Sequence, residues 1–497
     1  MPALPIYGTP AIREIEARAP GAGLMERAGL AAAELARRLC GDTAKAVLVV
    51  AGPGNNGGDA FEVAVHLKRW FFRVAVVFAG ERDRLPEDAR RALGKWEDAG
   101  GTLLDAVPDT TRFGLVVDGL FGIGLKRPLG GRHRTLVERL NALGVPILSL
   151  DAPSGIDSDT GAVMGCAVRA TRTLTFIAYK PGLLTLDGPD HCGKLEVDTL
   201  GLEPPVLLEP EGALLDADIL TAAVAPRPRN FHKGNAGTVG VLGGAAGMTG
   251  AAVIAGRAAL RCGAGRVVVG LLAPRAPSVD FENPELMLRK PTEVLSMEKL
   301  GVLVAGPGMG GGDAARRSLR AALAAPVALV LDADALNLIS DDKLLAVATA
   351  KRAAATLMTP HPAEAARLLG ESTRAVQADR VAAARAIAKR YRCVALLKGN
   401  GSVIAEPEGR YWINPTGNPG MASAGMGDAL AGIVAALCAQ GAAPRDALLA
   451  GAWLHGAAAD ALVAAGSGPV GIIASEVIDS ARALLNAARL IRTGIRA

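Results

Sequence analysis

Twice along its length the chain sets short apolar runs against helical patterns, and that rhythm leaves little choice of fold. From residue 45 the runs AKAVLVVAG, FRVAVVFAG, GLVVDGLFG and PILSLDAPSG alternate with segments of helical periodicity. Runs this apolar are buried on both faces, which in a βαβ series means a parallel sheet covered by helices. The first of these helices is expected from about Ala60, and GLMERAGLAAAELARRL, before residue 45, reads as a leading amphipathic helix. TLTFIAY and KLEVDTLGL extend the sheet to about residue 202. A second series opens with TVGVLGG and the helical AAVIAGRAALRCG, and continues through VLVAGPG, VALVLDADAL, AAATLMTPHP and VALLKGNGSVIA into an almost wholly helical last third. Between the two series lie EPPVLLEPEG and APRPRN, a Pro-rich passage that interrupts any periodic element. The expected fold class is therefore α/β, with two doubly wound domains over residues 1–214 and 215–497. Each should bind ligands at the C-terminal ends of its strands.

Length agrees, because 497 residues exceed what a single hydrophobic core serves. Aromatic residues are 3% of the chain, too few for the stacking platforms of sequence-specific RNA binding. The 54 basic against 49 acidic residues give a net charge of +5 that is gathered into no run, so an anionic metabolite is a better partner than nucleic acid. The 6 cysteines form no CxxC pair, which argues against both a zinc site and a disulfide framework and agrees with a reducing cytoplasm. No N-terminal stretch reads as a signal peptide, and Ala-rich stretches such as 250–260 are interrupted by Gly and Arg. A soluble cytoplasmic protein with no membrane partner is expected.

The segment AGPGNNGGDA at 51–60 follows a buried strand and opens a helix, so its glycines let the backbone approach a ligand and aim N–H groups at an anion. Asp59 is placed to cap that helix. The adjacent amides Asn55 and Asn56 offer donors and acceptors that a plain turn does not need. Two further strand ends carry Asp118-Gly-Leu-Phe-Gly-Ile-Gly and Asp151-Ala-Pro-Ser154, which brings carboxylates and a hydroxyl to the same sheet edge and implies one cleft.

GPGNNGGDA, VVDGLFGIGL and SLDAPSGIDSDTG together resemble the NAD(P)H-hydrate epimerase domain, a Rossmann-like fold, over most of residues 10–210. The resemblance implies that Asn55, Asn56, Gly57, Gly58 and Asp59 line the site for hydrated NADH or NADPH. The loop of Gly122, Ile123, Gly124, Leu125, Lys126, Arg127 and Pro128 would line it too, as would Asp151. It also implies a potassium ion on Asn56, Asp118 and Ser154, hard oxygen donors that suit an alkali cation. Asp151 would act as an acid/base in loss and return of hydroxide at C6 of the ring. Two departures stand out: Ala60 replaces the usual glycine, and the region before GLMERAG is shortened, where the family has a helix that contributes to a homo-oligomer.

In the second series, NPTGNPGMASAGMGDALAGIVAALCAQ runs a Gly-rich turn straight into an apolar helix. Backbone N–H groups of Gly425 to Gly427 would form an anion hole, with Asp428 beside a transferring phosphoryl group or, equally, capping the helix. Lys398, Gly306-Pro-Gly-Met309 and Thr359-Pro-His361-Pro362-Ala-Glu364 end three strands. With HKGNAGTVGVLGGAAGMTGAAV, VLDADAL and TPHPAEAARLLG, these motifs resemble the ADP-dependent NAD(P)H-hydrate dehydratase domain, a ribokinase-like fold, over about residues 218–490. The resemblance implies that Lys398, Gly399, Asn400, Gly401, Ser402 and Gly427 contact ADP. Ala251, Ala252, Gly308, His361 and Asp428 would contact the hydrated nucleotide, with Asp428 as catalytic base and Mg2+ accompanying ADP. Met426 stands where the family more often has Ser or Thr, which removes a hydroxyl contact there. A vitamin-precursor kinase, which would share GMGD and the Lys-Gly strand end, and a non-catalytic scaffold remain as alternatives.

Overall fold

The computed structural model describes residues 4–21, 23–109 and 111–493. Two compact units emerge, one of residues 5–212 and one from 213 onward that also takes Leu4. The junction thus precedes the expected 214/215 divide. The reason is local: the strand Gly212–Leu214 lies beside Tyr411–Asn414, the Leu215 N–H donates to the Ile413 carbonyl at 3.0 Å, and Ala213 and Leu215 are buried in the second unit's core.

The first unit is a seven-stranded sheet in the spatial order Leu103–Leu104, Arg73–Phe78, Ala46–Ala51, Phe113–Gly119, Ile147–Leu150, Arg172–Phe176, Lys194–Asp198. Every neighbouring pair is parallel. Counted along the chain the order is 3-2-1-4-5-6-7, that of doubly wound dinucleotide folds. Ala46–Ala51 is buried at every position, as its unbroken apolar run requires. On one face Phe61 and Leu67 pack with Ile12, Ile15 and Leu35; on the other, Leu136, Val137 and Leu140 cover Leu48, Val50 and Val116.

The helix after the first strand spans Asn55–Arg69, with Gly54 as its N-cap. This corrects two expectations. The helix begins five residues before Ala60, and Asp59 caps nothing because it already lies inside the helix. Glycine is required where backbones touch: a Cβ on Gly52 would stand 1.7 Å from the Leu120 carbonyl oxygen. The loops after the first and fourth strands therefore meet at the point where the strand order reverses, and a crevice opens there.

The second unit runs Met287–Arg289, Arg266–Leu271, Thr238–Gly243, Val302–Ala305, Ala328–Leu331, Thr356–Met358, Val394–Leu397, all parallel. Ser402–Ala405 and Tyr411–Asn414 follow as antiparallel strands. Counted from Thr238, the parallel part repeats the order 3-2-1-4-5-6-7, although no repeat is recognisable between the two sequences. Helices Thr249–Arg261 and Met426–Ala439 pack side by side, and Gly432 allows it, since a Cβ there would lie 2.1 Å from the Ala255 carbonyl oxygen. Pro444–Ala464 is long and apolar enough to cross a membrane by length and composition, but most of its apolar surface is buried in this core.

Candidate active sites

At the crossover of the first unit a cleft of about 720 Å³ is lined by Asn55, Asn56, Asp59, Gly122, Ile123, Gly124 and Asp151, together with Arg13, Glu16 and Lys180. The three loops singled out in the sequence do converge. Asn56 is buried, and neither Oδ1 nor Nδ2 of its amide has a hydrogen-bond partner. An unsatisfied buried amide costs free energy, so it marks a place prepared for something else. A Cβ built on Gly122 would lie 2.8 Å from Asp151 Oδ2 and 3.3 Å from Asn56 Cγ, so amide and carboxylate flank the same glycine.

Asp118 lies beneath the cleft, fully buried. Its carboxylate accepts from Ser154 Oγ at 2.6 Å, Ser149 Oγ at 2.7 Å, Ser154 N–H at 3.0 Å and Leu120 N–H at 3.3 Å. Burial pushes its carboxyl up, and these donors pull it back. Asp59 is raised well above the usual carboxylate range, first by burial and then by the neighbouring charges of Asp151 and Glu16. Glu16 is raised for the same reasons, with Lys180 and Arg13 opposing.

Six of the expected substrate residues are not on this wall. Gly57 and Gly58 give their N–H groups to the Gly54 carbonyl, at 3.0 and 3.3 Å. Their missing side chains make room for Gly52 and Met25: a Cβ would come within 2.0 Å of the Gly52 oxygen and 2.6 Å of the Met25 methyl. Leu125 packs against the opposite core, and Lys126, Arg127 and Pro128 are exposed outside the cleft lining.

In the second unit the C-terminal ends of the strands Ala328–Leu331, Thr356–Met358 and Val394–Leu397 gather a polar cluster. Asp428 sits in the first turn of Met426–Ala439, whose N-cap is Gly425 at φ 88°, and no side chain caps this helix. The capping alternative for Asp428 is thereby removed. Beneath the turn, Lys398 Nζ pairs with Asp332 Oδ1 at 2.7 Å and stands 3.9 Å from Glu364 Oε2. A Cβ on Gly427 would lie 3.2 Å from both Asp332 Oδ2 and Lys398 Nζ, so the glycine brings the helix end onto the ion pair. Thr359 Oγ1 donates to Asp332 Oδ1 at 2.9 Å. Asp428 is pushed up to about 7, first by burial and then by the Asp332 charge, with Lys398 pulling it down and Asp334 adding to the rise.

His361 is the N-cap of Pro362–Leu369: its Nδ1 accepts from the N–H groups of Ala363 and Glu364, at 3.1 and 3.4 Å. Burial, then Lys398 and Arg367, hold its imidazole below the usual histidine value. Only Nε2, 3.2 Å from Glu364 Oε1, is left to meet a substrate. Gly308, at φ 55°, faces Ala251, whose Cβ would be 3.1 Å from a Cβ on the glycine. Ala252, expected beside it, is instead fully buried against Gly243 and Gly244. Gly399 is exposed, at φ 147°, over the Arg380 guanidinium, and Asn400 is exposed beside it. Gly401 is buried, and Ser402 Oγ closes the turn by accepting the Gly399 N–H at 3.2 Å.

Residues 21–182 match the family described as the YjeF-related protein N-terminus, and residues 239–480 the family described as NAD(P)H-hydrate dehydratase. The chain is 37% identical over 496 residues to the bifunctional NAD(P)H-hydrate repair enzyme Nnr of Coxiella burnetii, covering 97% of this chain and 99% of that one. Identity to the enzyme of the same name from Escherichia coli is 39% over 469 residues, covering 93% and 89%. The chain belongs to the family of bifunctional NAD(P)H-hydrate repair enzymes. A solved ADP/ATP-dependent NAD(P)H-hydrate dehydratase from Bacillus subtilis, co-crystallised with ATP and Mg2+, is 28% identical over 55% of this chain and 98% of its own, with a TM-score of 0.48.

For a repair enzyme of two halves, sequence reasoning passed over several charged groups at the sites. Lys180 and Glu16 line the first cleft, and Asp332 underlies Asp428. Asp332 was visible within VLDADAL at a strand end. Lys180 and Glu16 carried no signal, because a lone Lys and a helical Glu are ordinarily solvated.

Proposed function

We propose that this chain restores hydrated NADH and NADPH in two steps at two separate centres, Asp151 serving epimerisation and Asp428 serving ADP-driven dehydration. The observation that carries the reading is Asp428: uncapped at a helix N-terminus, above a Lys398–Asp332 pair, and held near neutrality. A base poised near the working pH is what proton abstraction from a hydroxyl needs.

In the epimerase half, Asp59, Glu16 and Asp151 share one cleft and cannot all ionise cheaply, so Asp59 keeps a proton. That proton goes to the C6 oxygen as its bond to carbon breaks, and water leaves while the ring nitrogen lone pair forms an iminium. Water then adds from the other face and gives a proton to Asp151. The Asn56 amide would hold the nucleotide or a cation. Asn56, Asp118 and Ser154 fit a potassium ion: the first offers an unpartnered buried oxygen, the second a buried negative charge with no Lys or Arg paired to it among the described residues. Potassium there would compensate that charge and stiffen the loops.

In the dehydratase half, Asp428 takes the proton of the C6 hydroxyl as its oxygen attacks the terminal phosphorus of ADP, and AMP departs. The C6–O bond then breaks with phosphate as leaving group, and loss of a proton from the adjacent carbon regenerates the dihydropyridine. The free N–H groups of the first turn, with Lys398, Gly399, Asn400 and Gly427 nearby, would face the phosphates. Among the described residues no cluster of three His, Cys, Asp or Glu could cage a metal, so Mg2+ would be held mainly by the phosphates of ADP and water.

The test is to incubate the protein with both NADHX epimers, K+, Mg2+ and ADP. Full return of reduced-nicotinamide absorbance with AMP is expected. A stable phosphorylated product would indicate a kinase instead, and no conversion would leave the scaffold. The dehydratase rate should also rise with pH through an apparent pKa of about 7, and Asp332→Asn should move that limb to lower pH by removing a like charge. A pH–rate profile checks this; a limb that stays in place removes Asp332 from the account.

A further inference from the structure

Beneath the epimerase cleft lies a cation that no motif marks. Lys180 has no exposed surface. Its ammonium donates to Asp151 Oδ1 at 2.6 Å, to Thr175 Oγ1 at 2.8 Å and to the Phe176 carbonyl at 2.7 Å. A lysine has three such protons, and all are committed. Lys180 therefore cannot hold a ligand itself, and its route to the chemistry runs through Asp151.

Asp151 is held from several directions. Oδ2 accepts the Ile123 N–H at 3.2 Å, the Asp151 N–H donates to the Leu174 carbonyl at 2.8 Å, and Thr175 Oγ1 stands 3.5 Å from Oδ1. Its backbone lies in the left-handed region at φ 63°, a conformation that persists in a non-glycine residue where the surroundings enforce it. The other charges facing it come from separate elements: Glu16 on helix Thr9–Arg18, with Arg13 beside it, and Asp59 on helix Asn55–Arg69. Against these acids, Lys180 is the cation paired with Asp151 among the described residues.

We propose that Lys180 is a positioning residue of the epimerase centre, fixing the Asp151 carboxylate so that Oδ2, beside the unpartnered Asn56 amide, meets C6 of the hydrated ring. The proposal rests on the epimerase reading given above. It differs from a purely structural ion pair in what it demands of turnover. A structural pair governs how much protein is folded, whereas a positioning pair governs the rate of each folded molecule.

The experiment compares Lys180→Met and Lys180→Arg with the parent full-length protein, measuring kcat and KM for interconversion of the NADHX epimers over substrate concentrations from below KM to saturation. Dehydratase turnover counts the molecules, and thermal unfolding of the epimerase unit reports the folded fraction. Expected for Lys180→Met is a fall in kcat per folded molecule of about 50-fold with KM within about threefold. Lys180→Arg, which keeps the charge with a different fork, should recover part of it. The double variant Asp151→Asn/Lys180→Met should be no slower than Asp151→Asn alone, because Lys180 acts through Asp151. If Lys180→Met is too unstable to assay, Lys180→Arg and the double variant decide. A kcat per folded molecule within threefold of the parent for Lys180→Met, or for Lys180→Arg when it stands alone, overturns the proposal, as does a double variant slower than Asp151→Asn. A parent protein that dehydrates one epimer but interconverts none would instead overturn the epimerase reading itself.

Discussion

Asp428→Asn is expected to lower dehydratase turnover by about a thousand-fold, the usual worth of a general base with the phosphoryl alignment that depends on it, while epimerisation stays at the parental rate. The same change should stabilise the second unit. The Asp428 carboxyl is held up to about 7 from its ordinary 3.8, so across that interval the folded chain keeps a proton that the unfolded chain has lost. The penalty is absent below about pH 4, grows as pH rises and is complete above about pH 7, where asparagine relieves it. At 1.36 kcal/mol per unit the full shift is worth about 4 kcal/mol, and partial access of water reduces it to about 2 kcal/mol. Urea unfolding at about pH 8 and about pH 4 should show that gain and then its disappearance. Equal loss of both activities would indicate misfolding, and unchanged dehydration would remove Asp428 from the chemistry.

Asp151→Asn should do the reverse, slowing epimer interconversion by about a hundred-fold with dehydration of the S epimer intact. Asparagine tolerates the left-handed backbone that Asp151 adopts at φ 63°, so the turn itself is preserved. The cost falls on Lys180, which keeps its buried charge but loses its ion pair at 2.6 Å. Unpairing a buried charge destabilises by about 3 kcal/mol, so the epimerase unit should melt earlier. Epimer ratios followed by chromatography, beside a thermal scan, check both parts. Interconversion within threefold of the parent would remove Asp151 as the proton acceptor and leave that role to Glu16.

How much of this was legible follows from the range of each signal. The strand-end motifs were readable because a glycine at a tight approach, such as Gly52 against Leu120, and an acid in a helix's first turn, such as Asp428, answer to neighbours a few residues away. The helix start was misplaced by five residues because the glycines of 57 and 58, which look like loop, are there to let Gly52 and Met25 pack against a helix already under way. His361, expected to contact substrate, spends its Nδ1 as a helix cap, a use that nothing in TPHP distinguishes from ligand binding.

The sequence by itself determined that there are two α/β units, that their central strands are buried and parallel, and that Asn, Asp and Gly stand at the strand ends. Those properties rest on hydrogen bonding and burial repeated within single strands and turns. The tertiary structure alone decided the 3-2-1-4-5-6-7 order in both sheets, and with it which loops meet: Asn56 with Gly122 and Asp151, Asp428 with Asp332 and Lys398. It also decided that Lys180 lies under Asp151 and not in water. Strands far apart in the chain are ranked by the packing of whole faces, a free energy shared among dozens of side chains, and no local run of residues carries its sign.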